Sequence, residues 1–329
     1  MIKFGISAPG RVSLYGEHTE MYSKNVVVAS LDLRTTLKFR ELTNDPNYRI
    51  KIEFPDVDLW LYVPLNPVIN FFFASNNKEL FEDRIMILKH VQYFITSRGM
   101  WRTHAQRFSL QVFFFLFIYL SRNERINIKS FQVHLDTQLP ITGGLGSSTS
   151  FAVCLAACFI HWARLQRGEH GAFSDENITK ISEYAKFCEE VTQNYVFSCD
   201  HYVCSYGRII QYRYKTPVEF HINLINVPKM NILLIDSRTH KNKAEQITQM
   251  AEMKLSCPTF NVTVDVIDNA SNMACRKMAE INDIITDNNF SQLEEMYIAL
   301  GVSLFLFSLL ILLHLFTFLC LHKIFMRDE

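Results

Sequence analysis

The side chains best suited to chemistry lie in three separated stretches of this sequence. Arg11, Glu17 and His18 come early, a run of glycines and hydroxyls fills 142–150, and the carboxylates Glu189, Glu190 and Asp200 follow. The middle run places Thr142, Gly143, Gly144, Leu145, Gly146, Ser147 and Ser148 ahead of Thr149 and Ser150. Glycines remove side chains where backbone lies close to something bulky or takes positive φ. The hydroxyls then open a helix whose apolar face continues through Val153, Leu155, Ala156 and Phe159. Unpaired N–H groups and the positive dipole end at such a start form an anion site, most often for phosphate. A Ser or Thr there can also hold Mg²⁺. The plainer reading is a Gly/Ser turn capping an ordinary helix. No lysine follows the glycines, so the run is not a Walker A loop, and it is not G-x-G-x-x-G.

A phosphate cradle that transfers its phosphoryl to a hydroxyl needs a metal held by oxygen and a group to orient or deprotonate the alcohol. It also needs a cation to offset developing charge. Ser148 with Glu189 or Glu190 supplies candidate metal oxygens, Asp200 a candidate base and Arg11 a candidate cation. Glu17 and His18 follow a strand end, where α/β-type proteins place ligand contacts. Taken one at a time, Glu189 also reads as a solvated helix glutamate and Asp200 as a turn former.

The elements that must position these groups follow from pattern. Residues 2–9 read as an edge strand entering a turn at Pro9-Gly10, and a strand through Val12 and Leu14 is broken by Gly16. Residues 26–42 read as one or two strands, and 48–62 as a strand pair across Pro55-Asp56. Helical spacing covers 80–96 and 108–121, and strand alternation returns at 126–135 to feed the glycine loop. Residues 174–194 form an amphipathic helix capped at Ser174 or Asp175. Residues 195–214 read as loop, strand, turn at Gly207 and strand, and 230–236 as a buried strand. Helices cover 241–253 and 263–285.

Composition bounds the class. At 329 residues the chain can hold one large or two ordinary domains. The 33 basic and 33 acidic residues leave no field for nucleic acid or acidic lipid. Eight cysteines contain no C-x-x-C pair, and Cys154 and Cys158 share a helix face as small core residues, reduced in a cytoplasmic body. The first ten residues lack an apolar h-region, so no leader is expected. Residues 112–120 (V-F-F-F-L-F-I-Y-L) are too short to span a bilayer and read as a buried helix. Residues 298–322, apolar and uncharged, are long enough to span one and read as a membrane-contacting transmembrane helix.

Two motifs in order carry a resemblance. S-A-P-G-R-V-S-L-Y-G-E-H near the start and P-I-T-G-G-L-G-S-S-T-S mid-chain are similar to the first two signatures of the GHMP small-molecule kinases. Within that superfamily, S-L-D-L-R-T-T-L at 30–37 and the V-C-L-A-A helix resemble mevalonate kinase. The resemblance implies an α+β, two-domain fold. A ribosomal-S5-like N-terminal ATP-binding domain (1–200) would pack on an incomplete, ferredoxin-like C-terminal domain (201–297), with ATP between them and the hydrophobic helix (298–322) after. It implies ATP and Mg²⁺ as cofactors, mevalonate as substrate and a homodimer as one assembly. It implies that Ser148 and Glu189 hold the metal and that Asp200 is the catalytic aspartate. Arg11 stands at a catalytic position touching substrate and phosphate, and Glu17 and His18 at the substrate end. Thr137, Asp56 and the loop Thr142, Gly143, Gly144, Leu145, Gly146, Ser147 and Ser148 fall at ATP contacts.

Departures keep alternatives open. Mevalonate kinases carry lysine where Arg11 stands, and Arg11 with Thr19 is similar to galactokinase, a sugar kinase. The approach to the aspartate is Q-N-Y-V-F-S-C-D rather than H-G-x-P-S-G-x-D, with Ser198 offering the nearest hydroxyl, and Lys243 replaces a threonine. The third glycine-rich signature is absent, so a catalytically impaired, membrane-tethered homologue is the remaining reading.

Overall fold

The computed structural model describes residues 1–17, 19–43, 45–74, 81–141, 143–193, 199–214, 220–227, 230–232, 234, 243–286 and 293–302. His18, Thr142 and Ser198 lie outside the described residues, as do the side chain of Lys243 and all of 298–322 beyond Val302. The chain divides into two compact units, one of Met1–Val12 with Ser30–Gly207 and one of Ser13–Ala29 with the described residues from Arg208 onward.

Five strands make the sheet of the first unit: β1 (Lys3–Tyr15), β2 (Asn25–Glu41), β3 (Arg49–Phe54), β4 (Leu59–Pro64) and β5 (Phe131–Thr137). They run in the order β4-β3-β5-β2, and β1 pairs with β2. β3 and β5 are parallel, with Ile50 opposite Phe131, whereas β5 runs antiparallel to β2, with Thr35 opposite Thr137. Alternation decides which face is covered. Leu37, Phe39, Ile50, Ile52, Phe131 and Val133 are buried, whereas Lys51, Glu53, Gln132 and His134 form a polar ladder on the other face.

Helices α2 (Arg84–Ser97), α3 (His104–Asn123), α4 (Ser147–Gln166) and α5 (Asp175–Gln193) pack with this sheet around one core. Asp83 and Thr103 cap the first two by accepting from the N–H groups of Ile85 and Gln106. α3 contains the 112–120 run, and its phenylalanines meet the sheet and α4 ring on ring. Phe117 lies with its centroid 5.3 Å from Phe131 and 5.4 Å from Phe159. Among the described residues α4 is the helix long and apolar enough to cross a membrane, and it is mostly buried inside this unit. Cys154 and Cys158 lie fully inside it as free thiols.

In the second unit the first residues of β2 pair antiparallel with β6 (Ile209–Tyr214), Asn25 opposite Arg213. β6 in turn pairs with β7 (Phe220–Ile225). Helices α7 (Lys243–Ser256) and α8 (Phe260–Thr286) follow, and residues 293–302 are helical. Both the backbone and the side-chain nitrogen of Asn25 donate to Asp268 at 2.8 Å, fastening α8 to the strand.

Several expectations need correction. Pro9-Gly10 is not a turn, because β1 runs through it beside β2. Gly10 is there for close approach instead: a Cβ would lie 2.4 Å from Leu139 Cδ2 and 2.8 Å from the Leu145 carbonyl. Residues after Cys199 form a short helix, α6 (Asp200–Tyr206), not a strand, and left-handed Gly207 ends it. Residues Asn231, Ile232 and Leu234 are exposed and carry no strand, and a strand lies instead in the alternating F-H-I-N-L-I of β7. A short helix, α1 (Leu65–Phe72), also precedes α2. The units do not part at residue 200: α6 packs on α4 and α5, so the first unit extends to Gly207, and 13–29 leaves it.

Phe117→Ala opens a hole among three rings in a fully buried site. It is expected to cost about 3–5 kcal/mol by urea unfolding, with Phe117→Leu costing under about 1.5 kcal/mol. A loss under about 1 kcal/mol for Phe117→Ala would show that packing at this position is not what holds α3 to the sheet.

Candidate active site

The glycine loop is shaped by three backbone features. The Gly143 N–H closes a turn onto the Pro140 carbonyl at 3.2 Å, and Gly144 and Gly146 take φ of +74° and +76°. Gly146 is the residue before the first turn of α4, so a left-handed bend delivers the chain into the helix with Ser147 and Ser148 at its start. A Cβ on Gly146 would lie 3.0 Å from the Arg11 side chain, so the loop needs glycine here for shape and for room.

Arg11 ties this loop to the catalytic candidate. Its backbone N–H donates to the Leu145 carbonyl at 2.9 Å and its Nη1 donates to the Gly144 carbonyl. Its Nη2 donates to Asp200 Oδ2 at 2.6 Å, and both side chains are more than nine-tenths buried. Asp200 opens α6, where its charge also meets the favourable end of the helix dipole. Arg11, the loop and Asp200 thus form one cluster although 189 positions separate the ion-paired residues.

α4 and α5 bring Glu189 to the same helix start. Its Oε1 accepts from Thr149 Oγ1 at 2.5 Å, one residue beyond Ser148. Glu190 pairs instead with Arg84 and Lys186. Among the described residues no group of three or more His, Cys, Asp and Glu gathers to hold a metal. Ser148 and Glu189 supply a hydroxyl and a carboxylate, which fits Mg²⁺, a hard ion that keeps waters and phosphates as its other ligands.

On the other side of the loop, Asp56 Oδ2 accepts from the Thr137 N–H at 2.8 Å, so these two expected nucleotide contacts hold each other. Glu17 is exposed on a turn of the second unit. Residue types alone missed the polar groups beneath the loop. Thr35 Oγ1 lies 2.8 Å from Thr137 Oγ1 and 2.7 Å from Ser150 Oγ. The available signal was Thr35, which alternation places on the same face of β2 as Leu37 and Phe39.

Three thiols near the site are deeply buried. Burial pushes Cys154 up to about 12, and it holds Cys188 and Cys204 well above the ordinary thiol range, so these sulfurs stay protonated. His201 is pushed down to about 4 by burial and by Lys186, against the opposing pull of Asp200, and is neutral at pH 7. At the loop, Arg11 is paired with Asp200, and Glu189 lies against Thr149.

Known proteins match this arrangement in part. Residues 114–208 match the family described as GHMP kinases N terminal domain, and residues 2–41 match the galactokinase galactose-binding signature. The mevalonate kinase of Bos taurus is 25% identical over 303 residues, covering 88% of this chain and 73% of its own length. That of Homo sapiens is 24% identical over 304 residues, with the same coverage. The mevalonate kinase of Gibberella zeae is 25% identical over 84% of this chain but only 57% of its own length, so the match spans just over half of that relative. Among solved structures, the mevalonate kinase of Methanococcus jannaschii superposes with a TM-score of 0.55 at 16% identity, covering 90% of this chain and 80% of that one. The L. major mevalonate kinase in complex with R-mevalonate gives 0.51 at 13% identity, covering 93% and 76%. The α+β fold is that of these kinases, and the relatives are phosphotransferases that act on an alcohol. The chain is thus similar to the GHMP kinases over residues 114–208 and, over most of its length, to mevalonate kinases.

Proposed function

We propose that the protein phosphorylates the hydroxyl of mevalonate with ATP, giving 5-phosphomevalonate for isoprenoid synthesis. The observation that carries this reading is the buried Arg11–Asp200 pair fastened to the carbonyls of Gly144 and Leu145. The backbone amides of 143–148 and the start of α4 cradle the phosphates. Arg11 offsets charge on the phosphoryl group in transfer. Asp200 orients the acceptor hydroxyl and takes its proton as the new O–P bond forms and the bond to the ADP oxygen breaks. Ser148 and Glu189 would hold Mg²⁺, which when bound supplies charge neutralisation at the phosphates. Thr137 and Asp56 border the nucleotide, and Glu17 and His18 serve the acceptor. The body acts in the cytoplasm.

A second reading, a galactokinase-like sugar kinase, is favoured by the match over 2–41 and by Arg11 with Thr19. Coupled ADP release by the purified chain separates the two. Turnover with mevalonate and none with galactose is expected, and the reverse pattern overturns the proposal. Asp200→Asn is expected to lower kcat by about 10²–10⁴-fold with little change in nucleotide affinity. An unchanged kcat would remove Asp200 from the chemistry.

Stability depends on pH through His201. His201 binds its proton near 6.5 when unfolded and only near 4 when folded. Between these values the unfolded state holds more protons, so its contribution is fully present above pH 6.5 and is lost as pH falls toward 4. Urea unfolding at pH 7 and pH 5 is expected to show this loss, and His201→Gln is expected to reduce it. An equal loss in the variant would assign the effect elsewhere.

A further inference from the structure

The hydroxyl groups under the phosphate loop form one connected chain, whose direction follows when Ser150 donates to the Ser147 carbonyl. Ser150 Oγ donates to the Ser147 carbonyl at 3.1 Å, which uses its one proton. It therefore accepts from Thr35 Oγ1, 2.7 Å away. Thr35 has then used its own proton and accepts from Thr137 Oγ1 at 2.8 Å. Thr137 in turn accepts from the Leu139 N–H at 3.2 Å. The result is a one-way chain: Leu139 N–H, Thr137, Thr35, Ser150, Ser147 carbonyl. It runs from the strand end before the loop to the helix turn after it. Hydrogen bonds aligned this way reinforce one another, and a broken link leaves buried polar atoms unmatched.

Thr35 sits in the middle of that chain on a third element, β2. Its hydroxyl is fully buried, as is that of Ser150, and the Cys154 thiol donates to its backbone carbonyl at 3.3 Å. Two segments that flank the glycine loop are thus indexed to one strand residue. Gly144 and Gly146 at positive φ leave the loop itself with little steric restraint of its own. Arg11 holds the carbonyls of the loop, and the hydroxyl chain holds its two ends from beneath.

We propose that Thr35 is a positioning residue that fixes the phosphate loop and the first turn of α4 relative to the end of β5. The geometry stands alone, whereas the purpose rests on the phosphoryl-transfer reading above. Without the hydroxyl, the loop amides sample more arrangements and bind phosphate less tightly. Loss of the methyl group alone leaves the relay intact.

The test compares Thr35→Val, Thr35→Ser and Ser150→Ala in the full chain by amide hydrogen exchange without nucleotide, then by Mg-ATP binding. Thr35→Val and Ser150→Ala are expected to speed exchange in peptides covering 143–150 by about fivefold or more, leaving 104–123 unchanged. Thr35→Ser is expected to stay within about twofold of the parent chain. Mg-ATP dissociation constants are expected to follow the same order. Unchanged exchange in Thr35→Val overturns the proposal. So does equal acceleration in Thr35→Ser, or acceleration spread over 104–123, which marks a general packing role. If the parent chain binds no Mg-ATP, the phosphoryl-transfer reading fails, and the exchange pattern alone decides the relay.

Discussion

The structure of the first unit turns on a buried ion pair. Taking a guanidinium and a carboxylate out of water costs several kcal/mol each, and their attraction repays it only with good geometry and further partners. The 2.6 Å contact of Arg11 with Asp200 has those partners, since the arginine also donates to two carbonyls of the loop. Removing either member would strand a buried charge, at about 3–5 kcal/mol. A protein gains little stability from such a pair over an apolar one. Its use is to fix a carboxylate, a cation and a bend of backbone in one place. β1 brings the arginine, α6 the aspartate and the β5–α4 connection the loop. Gly10 makes the approach of β1 feasible by having no side chain to collide with Leu139.

Much of this was legible in the residues. The glycine–hydroxyl run before an apolar helix predicted the bend and the helix start, because positive φ and helix capping are local demands. Strands 48–62 and the buried helix over 112–120 followed from alternation and from unbroken apolar character. Local reasoning failed where a distant partner decides. Pro9-Gly10 carries every turn signal, yet strand pairing with β2 holds it extended. The residues after Cys199 have no clear period, and packing on α4 and α5 makes them helical. Thr35 drew no notice as a polar hub, since its hydroxyl partners lie 102 and 115 positions away.

The polar interior is therefore organised at two depths. Near the loop, charge is held by charge, with Arg11 between Asp200 and the loop carbonyls and Glu189 against Thr149. Beneath it, neutral hydroxyls carry a single line of protons between the two ends of the same loop. Below that lie the rings of Phe113, Phe117, Phe131 and Phe159, which make a rigid floor. A phosphate-binding bend built from glycines has little stiffness of its own, and these layers supply it. Elevated thiol pKa values around Cys154, Cys188 and Cys204 fit the same picture, because water and charge stop at the polar layer.

The central claim is that the bend at 143–148 and the carboxylate of Asp200 serve one reacting phosphoryl group. A crystal structure of the chain with a non-hydrolysable ATP analogue, Mg²⁺ and mevalonate tests it most directly. The account predicts the terminal phosphate on the amides of that bend, beside Arg11, with the acceptor hydroxyl within hydrogen-bonding reach of Asp200. A nucleotide seated elsewhere, or an acceptor remote from Asp200, would contradict it.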